Sequence, residues 1–82
     1  MQPDAARQAI AAALAEIAPE VDLDEIDGTV PFAAEADLDS MDLLSLAEAL
    51  HAATGVDIGD GDMASGWSLD DLVAELTRRS DR

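Results

Sequence analysis

The residues best placed for chemistry form the run Asp39-Ser40-Met41-Asp42, which stands where a polar, acidic loop gives way to an apolar repeat. Leu43, Leu46 and Leu50 recur after it at helical spacing, so the pattern places Ser40 in the first turn of a helix. A serine there can be a helix cap, because its hydroxyl accepts a hydrogen bond from an unpaired backbone N–H. The same hydroxyl can act as a nucleophile if a base lies within hydrogen-bonding reach.

A Ser/His/Asp hydrolase is the first catalytic alternative, since Ser40 and His51 project from nearly the same face of the predicted helix. Eleven residues separate the two, which is roughly 16 Å at about 1.5 Å of rise per residue. No hydrogen bond spans that distance, so the triad geometry fails and His51 is interpreted as a solvated helix residue.

Calcium binding is the second alternative, because the acidic segment around Gly28 resembles an EF-hand loop. Placing Gly28 at the sixth position of the loop puts Leu23 first, Glu25 third and Ala34 twelfth. These positions require Asp, Asp and a bidentate Glu. The register is broken, as it is for Asp57 to Asp62, and no metal site is predicted.

The composition narrows the function classes further. Nineteen acids against four arginines give a net charge of −15, which excludes most nucleic-acid binding because phosphate neutralisation needs clustered basic residues. Arg78, Arg79 and Arg82 are explained as favourable charges at the negative end of a helix dipole. Cysteine is absent, so no disulfide and no thiolate chemistry is available. We expect one domain over residues 1–82, monomeric and cytoplasmic, with no membrane segment.

Helical periodicity divides the chain into four predicted helices. The first runs from about Asp4 to Ala18 and is stopped by Pro19. A long connection follows, from Glu20 to Asp39, with Phe32 as its expected buried anchor. The second helix runs from about Ser40 to Thr54 and ends at Gly55. Its predicted core side comprises Leu43, Leu46, Ala47, Leu50, Ala53 and Thr54.

The remaining segments predict a short and a long helix. The segment from Gly59 to Gly66 can hold a short third helix with Met63 turned inward. Ser68 then caps a last helix that reaches about Arg79, with Asp71 in a capping-box position. Trp67, just before that cap, either packs on the start of the helix or stays exposed for a partner.

Two apolar residues are predicted to face outward beside the serine. Met41 and Leu44 lie on the side of the second helix opposite its core stripe, and the acids Asp39, Asp42 and Glu48 surround them. An apolar pair inside an acidic ring is typical of a transient docking surface for a basic partner.

These features together resemble the acyl carrier protein family over nearly the whole chain. Asp39-Ser40-Met41-Asp42 resembles the family's attachment motif, and Phe32 precedes the serine at the spacing of its buried loop aromatic. Thr54 to Ile58 and Ser68 to Asp71 resemble two further landmarks. The resemblance implies an all-α, small four-helix bundle with a long first loop and a short third helix.

The resemblance also implies a non-catalytic carrier with 4'-phosphopantetheine attached to Ser40. Asp39 corresponds to the preceding acid, Met41 to the usual leucine, Asp42 to the following acid and Leu44 to an apolar partner-contact position. Glu48, an acid where the family commonly has an apolar residue, is the further residue predicted to bind partners. The implied partners are a phosphopantetheinyl transferase and acyl-loading and acyl-processing enzymes with basic docking patches. The domain would carry acyl groups as thioesters between enzymes of fatty-acid, polyketide or related biosynthesis.

Some positions depart from the family pattern. Asp37 replaces a glycine and Ala36 a leucine, Ser45 stands where an acid is common, and His51-Ala52 replaces two acids. Two alternatives to an acyl carrier remain open. One is an aminoacyl or peptidyl carrier, although the glycines usual before its serine are absent. The other is an unmodified acidic docking module.

Overall fold

The fold is built only from helices and turns over the part of the chain that the computed structural model describes, residues 1–80. This confirms the predicted all-α class. A single 3-10 turn lies at Leu23–Glu25. The α-helices are α1 (Pro3–Ile17), α2 (Phe32–Glu35), α3 (Ser40–Thr54), α4 (Asp60–Ala64) and α5 (Leu69–Ser80).

The three long helices form where periodicity and end signals predict them. α1 begins at Pro3, a residue suited to the first helical turn because its missing N–H would be unpaired there in any case. α3 has the predicted bounds and ends at Gly55, whose φ of 75° is left-handed and whose N–H donates to the carbonyl of His51. α5 follows the predicted capping box, in which Ser68 and Asp71 each accept the other's backbone N–H.

One apolar core joins the elements. Leu43, Leu46 and Leu50 are buried in it, as predicted, and so is Met63 of α4. The prediction for Ala53 is wrong, because this residue is exposed. It lies in the last turn of α3 and lines an open groove between α3 and α1, where small alanine side chains leave the surface uncovered.

The long connection between α1 and α3 is more ordered than its lack of periodicity suggests. It contains the 3-10 turn and α2, which adds a fifth helix to the four predicted. Phe32 is 2% exposed, confirming it as the buried anchor, and its N–H donates to the carbonyl of Trp67 at 2.8 Å. A four-residue helix has little stability alone, so this tertiary anchor explains α2.

The same connection is joined to the start of α5 at two further points. Asp70 donates its N–H to the carbonyl of Gly28, and Pro31 and Ser68 form an isolated antiparallel bridge. A Cβ at Gly28 would lie 2.6 Å from Asp70 Oδ1, so a larger residue there would require the exposed Asp70 side chain to move. These contacts fix the segment that leads into α3.

Trp67 lies half-buried against the core, and the Arg79 guanidinium sits 5.7 Å from the centroid of its ring. The residue therefore packs along α5 and is not left free. Within residues 1–80, the helices all fall short of the length and apolar character that crossing a membrane requires.

Candidate functional site

Asp39, and not Ser40, caps the helix that carries the predicted site. The Asp39 carboxylate accepts the N–H of Asp42 at 2.8 Å, and the Asp42 carboxylate accepts the N–H of Asp39 at 3.2 Å. Ser40 is the first residue of α3. The interpretation of Ser40 as a cap is therefore wrong. The three-residue spacing of the two acids could have indicated this reciprocal cap from the sequence.

The Ser40 side chain therefore has no capping role at the start of α3. It is exposed, and within residues 1–80 its hydroxyl forms no hydrogen bond. Among the other described serines and threonines only Ser45 shares this state, since the rest donate or accept a side-chain hydrogen bond. Ser45 lies inside the helix, whereas Ser40 lies at its N-terminus.

The backbone at Ser40 suits an anion. The capping box takes up the N–H of Asp42, and the N–H of Leu43 donates to the carbonyl of Asp39. The N–H groups of Ser40 and Met41 have no acceptor among the described residues. Unpaired N–H groups at the positive end of a helix dipole stabilise a nearby negative group. A phosphodiester on Ser40 would lie beside them.

The turn that leads into α3 depends on a left-handed residue. Asp37 has a φ of 55°, its N–H donates to the carbonyl of Ala34, and the N–H of Leu38 donates to the carbonyl of Ala33. This pair of hydrogen bonds is a Schellman motif at the end of α2. Asp37 replaces the glycine of the family pattern that the sequence resembles, and glycine adopts such a positive φ without strain.

The residues predicted to bind partners lie on α3 and differ in exposure. Met41 is 76% exposed and Leu44 is 47% exposed, and both are large apolar side chains outside the core. Glu48 is exposed beside them, whereas Asp42 is half-buried in the capping box. We call Met41, Leu44 and Glu48 the α3 surface.

The three described arginines are each paired with an acid. Arg7 of α1 pairs with Asp24, while Arg78 and Arg79 of α5 pair with Glu75. Arg82 of the predicted basic cluster lies outside the described residues. The hydrogen bond from Arg78 to Glu75 is the main reason that the pKa of Glu75 is lowered, with a smaller contribution from Arg79.

In the part of the chain that the structure describes, no basic side chain is hydrogen-bonded to the Ser40 hydroxyl. His51 is exposed in the C-terminal half of α3, so the predicted failure of a serine–histidine arrangement holds. Within residues 1–80 no group of three or more His, Cys, Asp or Glu side chains could hold a metal ion. Asp27 of the first loop stabilises a turn, because its carboxylate accepts both the N–H and the hydroxyl of Thr29. The hydrogen bond from that hydroxyl is the main reason that the pKa of Asp27 is lowered.

Comparison with known families identifies the class of domain. The family model described as the phosphopantetheine attachment site matches residues 8–76, which is most of the chain. The chain therefore belongs to this family of carrier domains, in which a covalently attached phosphopantetheine is implied and which are typically not catalytic. No curated protein and no solved structure shows a significant match to the chain.

Proposed function

We propose that Ser40 carries 4'-phosphopantetheine and that the chain is an acyl carrier protein of fatty-acid, polyketide or related biosynthesis. The observation that carries the proposal is the exposed Ser40 hydroxyl, free of hydrogen bonds at the first position of α3 while Asp39 caps the helix. The chain has no cysteine, so the thiol that holds an acyl thioester must come from the attached group.

The residues around Ser40 favour the attached group without activating the serine. The unpaired N–H groups of Ser40 and Met41 face the negative phosphodiester that attachment creates. Because no base lies within reach of the hydroxyl, a phosphopantetheinyl transferase supplies the base and the metal for attachment. The domain itself then presents cargo and catalyses nothing.

Partner enzymes dock on the α3 surface. Met41 and Leu44 supply apolar contact next to Ser40, and Glu48 with Asp42 supplies negative charge. The partners are enzymes with basic patches, since opposite charge accelerates encounter and selects the partner. Acyl-loading and acyl-processing enzymes are the partner class we propose.

The attachment is tested by intact mass after incubation with coenzyme A, magnesium and a broad-specificity phosphopantetheinyl transferase. The wild type is expected to gain one phosphopantetheinyl unit and Ser40→Ala to gain none. Ser45→Ala is the matched control, because Ser45 is also an exposed α3 serine without a side-chain hydrogen bond. Absence of a shift in the wild type with several transferases would favour an unmodified docking module.

The cargo class is tested on the modified protein. An acyltransferase with acyl-coenzyme A is expected to load it with an acyl group. An amino-acid-activating enzyme with ATP and a mixture of amino acids provides the comparison. Loading only in the second reaction would show an aminoacyl or peptidyl carrier instead.

A further inference from the structure

Arg79, near the end of α5, joins three separate parts of the chain. Its Nη1 donates to the carbonyl of Asp57 at 2.9 Å, and its Nε donates to Glu75 Oε2 at 3.1 Å. Its Nη2 lies 3.9 Å from Asp62 Oδ2 of α4. The guanidinium also covers the ring of Trp67. Arg79 thereby ties α4 and the segment before it to α5.

The tied element has little stability of its own. α4 is five residues long, contains Gly61, and has Gly59 at its N-cap without a side-chain hydrogen bond to the helix. Glycine inside a helix costs about 1 kcal/mol relative to alanine, and one turn of helix is below the length that is stable alone. Met63 in α4 and Ile58 just before it are its buried apolar anchors. Within residues 1–80, the contacts of Arg79 add the polar ties between this segment and α5.

The segment held by Arg79 forms one side of a cleft against α3. This cleft, of about 180 Å³, is lined on α3 by Leu44, Ala47, Glu48 and His51, and on the opposite side by residues 57–60. The carbonyl that Arg79 binds belongs to Asp57, the first residue of that opposite side. Movement of the segment away from α5 changes the width of the cleft beside Leu44.

We propose that Arg79 is a latch that holds residues 57–64 against α5, and that its release lets this segment, and with it one wall of the cleft, move. The hydrogen bond to the Asp57 carbonyl is the main contact, because a charged donor forms a stronger bond than a neutral one and its acceptor is backbone. The consequence for docking at Leu44 rests on the proposed carrier function. The latch itself does not.

The latch is tested by amide hydrogen exchange of the unmodified protein, followed by NMR. The reporters are the N–H groups of Asp62, Met63 and Ser65, whose acceptors lie within the segment. The N–H of Ala18, which donates to Leu14, is the reference. In Arg79→Gln the reporters are expected to exchange about tenfold faster than in the wild type while the reference changes little, since local opening costs less than global unfolding.

Arg78→Gln is the matched control. It removes the same charge from the same helix end, but Arg78 contacts only Glu75 among these groups. The reporters are expected to keep their wild-type exchange rates in this variant. Equal acceleration in both variants, or equal acceleration of reporters and reference in Arg79→Gln, would overturn the latch.

Three substitutions in α4 test the latch if Arg79→Gln does not fold. Asp62→Asn is expected to accelerate the reporters more than Asp60→Asn, an exposed acid of the same turn that does not contact Arg79. Gly61→Ala is expected to slow them, because a Cβ there meets open space and alanine favours helix. Equal rates in Asp62→Asn and Asp60→Asn would contradict the proposal. The unmodified protein is used throughout, so failure of Ser40 modification does not affect the result.

Discussion

Asp39 and Asp42 cap each other, each carboxylate accepting the other residue's backbone N–H, at 2.8 Å and 3.2 Å. The two acids thus form the cap at the start of the helix, and the hydroxyl of the serine between them is not used in it. The same pair leaves two N–H groups unpaired at the residue that carries the hydroxyl and at the next one. A site for an anionic group therefore coexists with a fully formed cap.

The first prediction concerns that cap. Asp39→Ala is expected to lower the free energy of unfolding by about 1 kcal/mol, because the N–H of Asp42 loses its acceptor. Asp39→Asn is the control, since an amide oxygen can still accept that N–H, and it should cost only a few tenths of a kcal/mol. Urea unfolding of the two variants and the wild type provides the measurement. Equal loss in both variants would mean that the charge matters, and not the cap.

The second prediction concerns the left-handed residue before the site. Asp37→Gly is expected to raise the free energy of unfolding by about 0.5 kcal/mol. Glycine removes the strain of a positive φ, and this gain exceeds the larger backbone entropy that glycine loses on folding. Asp37→Ala is expected to lower it by about 1 kcal/mol for the opposite reason.

Asp37→Asn separates charge from conformation in that series. Asparagine tolerates the left-handed region as aspartate does, so its stability should lie close to the wild type. Chemical denaturation of the three variants and the wild type gives their free energies of unfolding, which are then compared. An asparagine variant as stable as the glycine variant would show that relief of charge repulsion, and not backbone strain, controls this position.

The third prediction separates surface from core on α3. Met41→Ala and Leu44→Ala are expected to cost about 0.5 kcal/mol or less, because these side chains are exposed. Leu50→Ala should cost on the order of 2–5 kcal/mol as a cavity in the core. Thermal midpoints and rates of transferase modification are measured together. Slower modification without loss of stability is expected for the two surface variants.

A result for Leu44 would contradict this division. If Leu44→Ala unfolds the protein as readily as Leu50→Ala does, Leu44 belongs to the core, and the α3 surface loses its main apolar contact. The proposal that Ser40 carries phosphopantetheine does not depend on that outcome.

The fourth prediction concerns charge in docking. Glu48→Lys is expected to slow association with a basic partner enzyme and to weaken the dependence of that rate on salt. Glu16→Lys makes the same change on α1, in the groove lined by Ala52 and Ala53 of the last turns of α3, and should have a smaller effect. The measurement is the association rate of each variant and of the wild type at low and at moderate ionic strength. Asp42→Lys is less suitable, because it also breaks the capping box.

The fifth prediction concerns pH and the Glu75 carboxylate. Its pKa is lowered in the folded protein, first by the hydrogen bond from Arg78, so the pair stabilises the fold above the unfolded-state pKa. This contribution is lost as the pH falls through the folded-state pKa. A double-mutant cycle of Arg78→Gln and Glu75→Gln, measured by urea unfolding from pH 7 to about pH 3, should show a coupling that declines toward zero. A coupling independent of pH would contradict the assignment.

Several features of this protein are determined by local sequence. The long helices follow from apolar residues at helical spacing and from end signals such as Pro3, Gly55 and Ser68. The outward position of Met41 and Leu44 follows from the same periodicity, because each residue advances the helix by about 100°. The family can also be recognised from the run Asp39 to Asp42, since the residues of this motif are adjacent in sequence.

Tertiary structure decided the features that depend on distant partners. α2 forms because Phe32 is buried and its N–H is hydrogen-bonded to the carbonyl of Trp67. No local pattern indicates that hydrogen bond. Ala53 lies on the core side by helical phase, yet it is exposed because no large apolar side chain lines the groove across from it within residues 1–80. Arg79 suits a helix end by charge alone, but its contacts with Asp57 and Asp62 arise only when the chain folds back on itself. Local periodicity specifies which face of a helix is apolar, whereas packing specifies what covers that face.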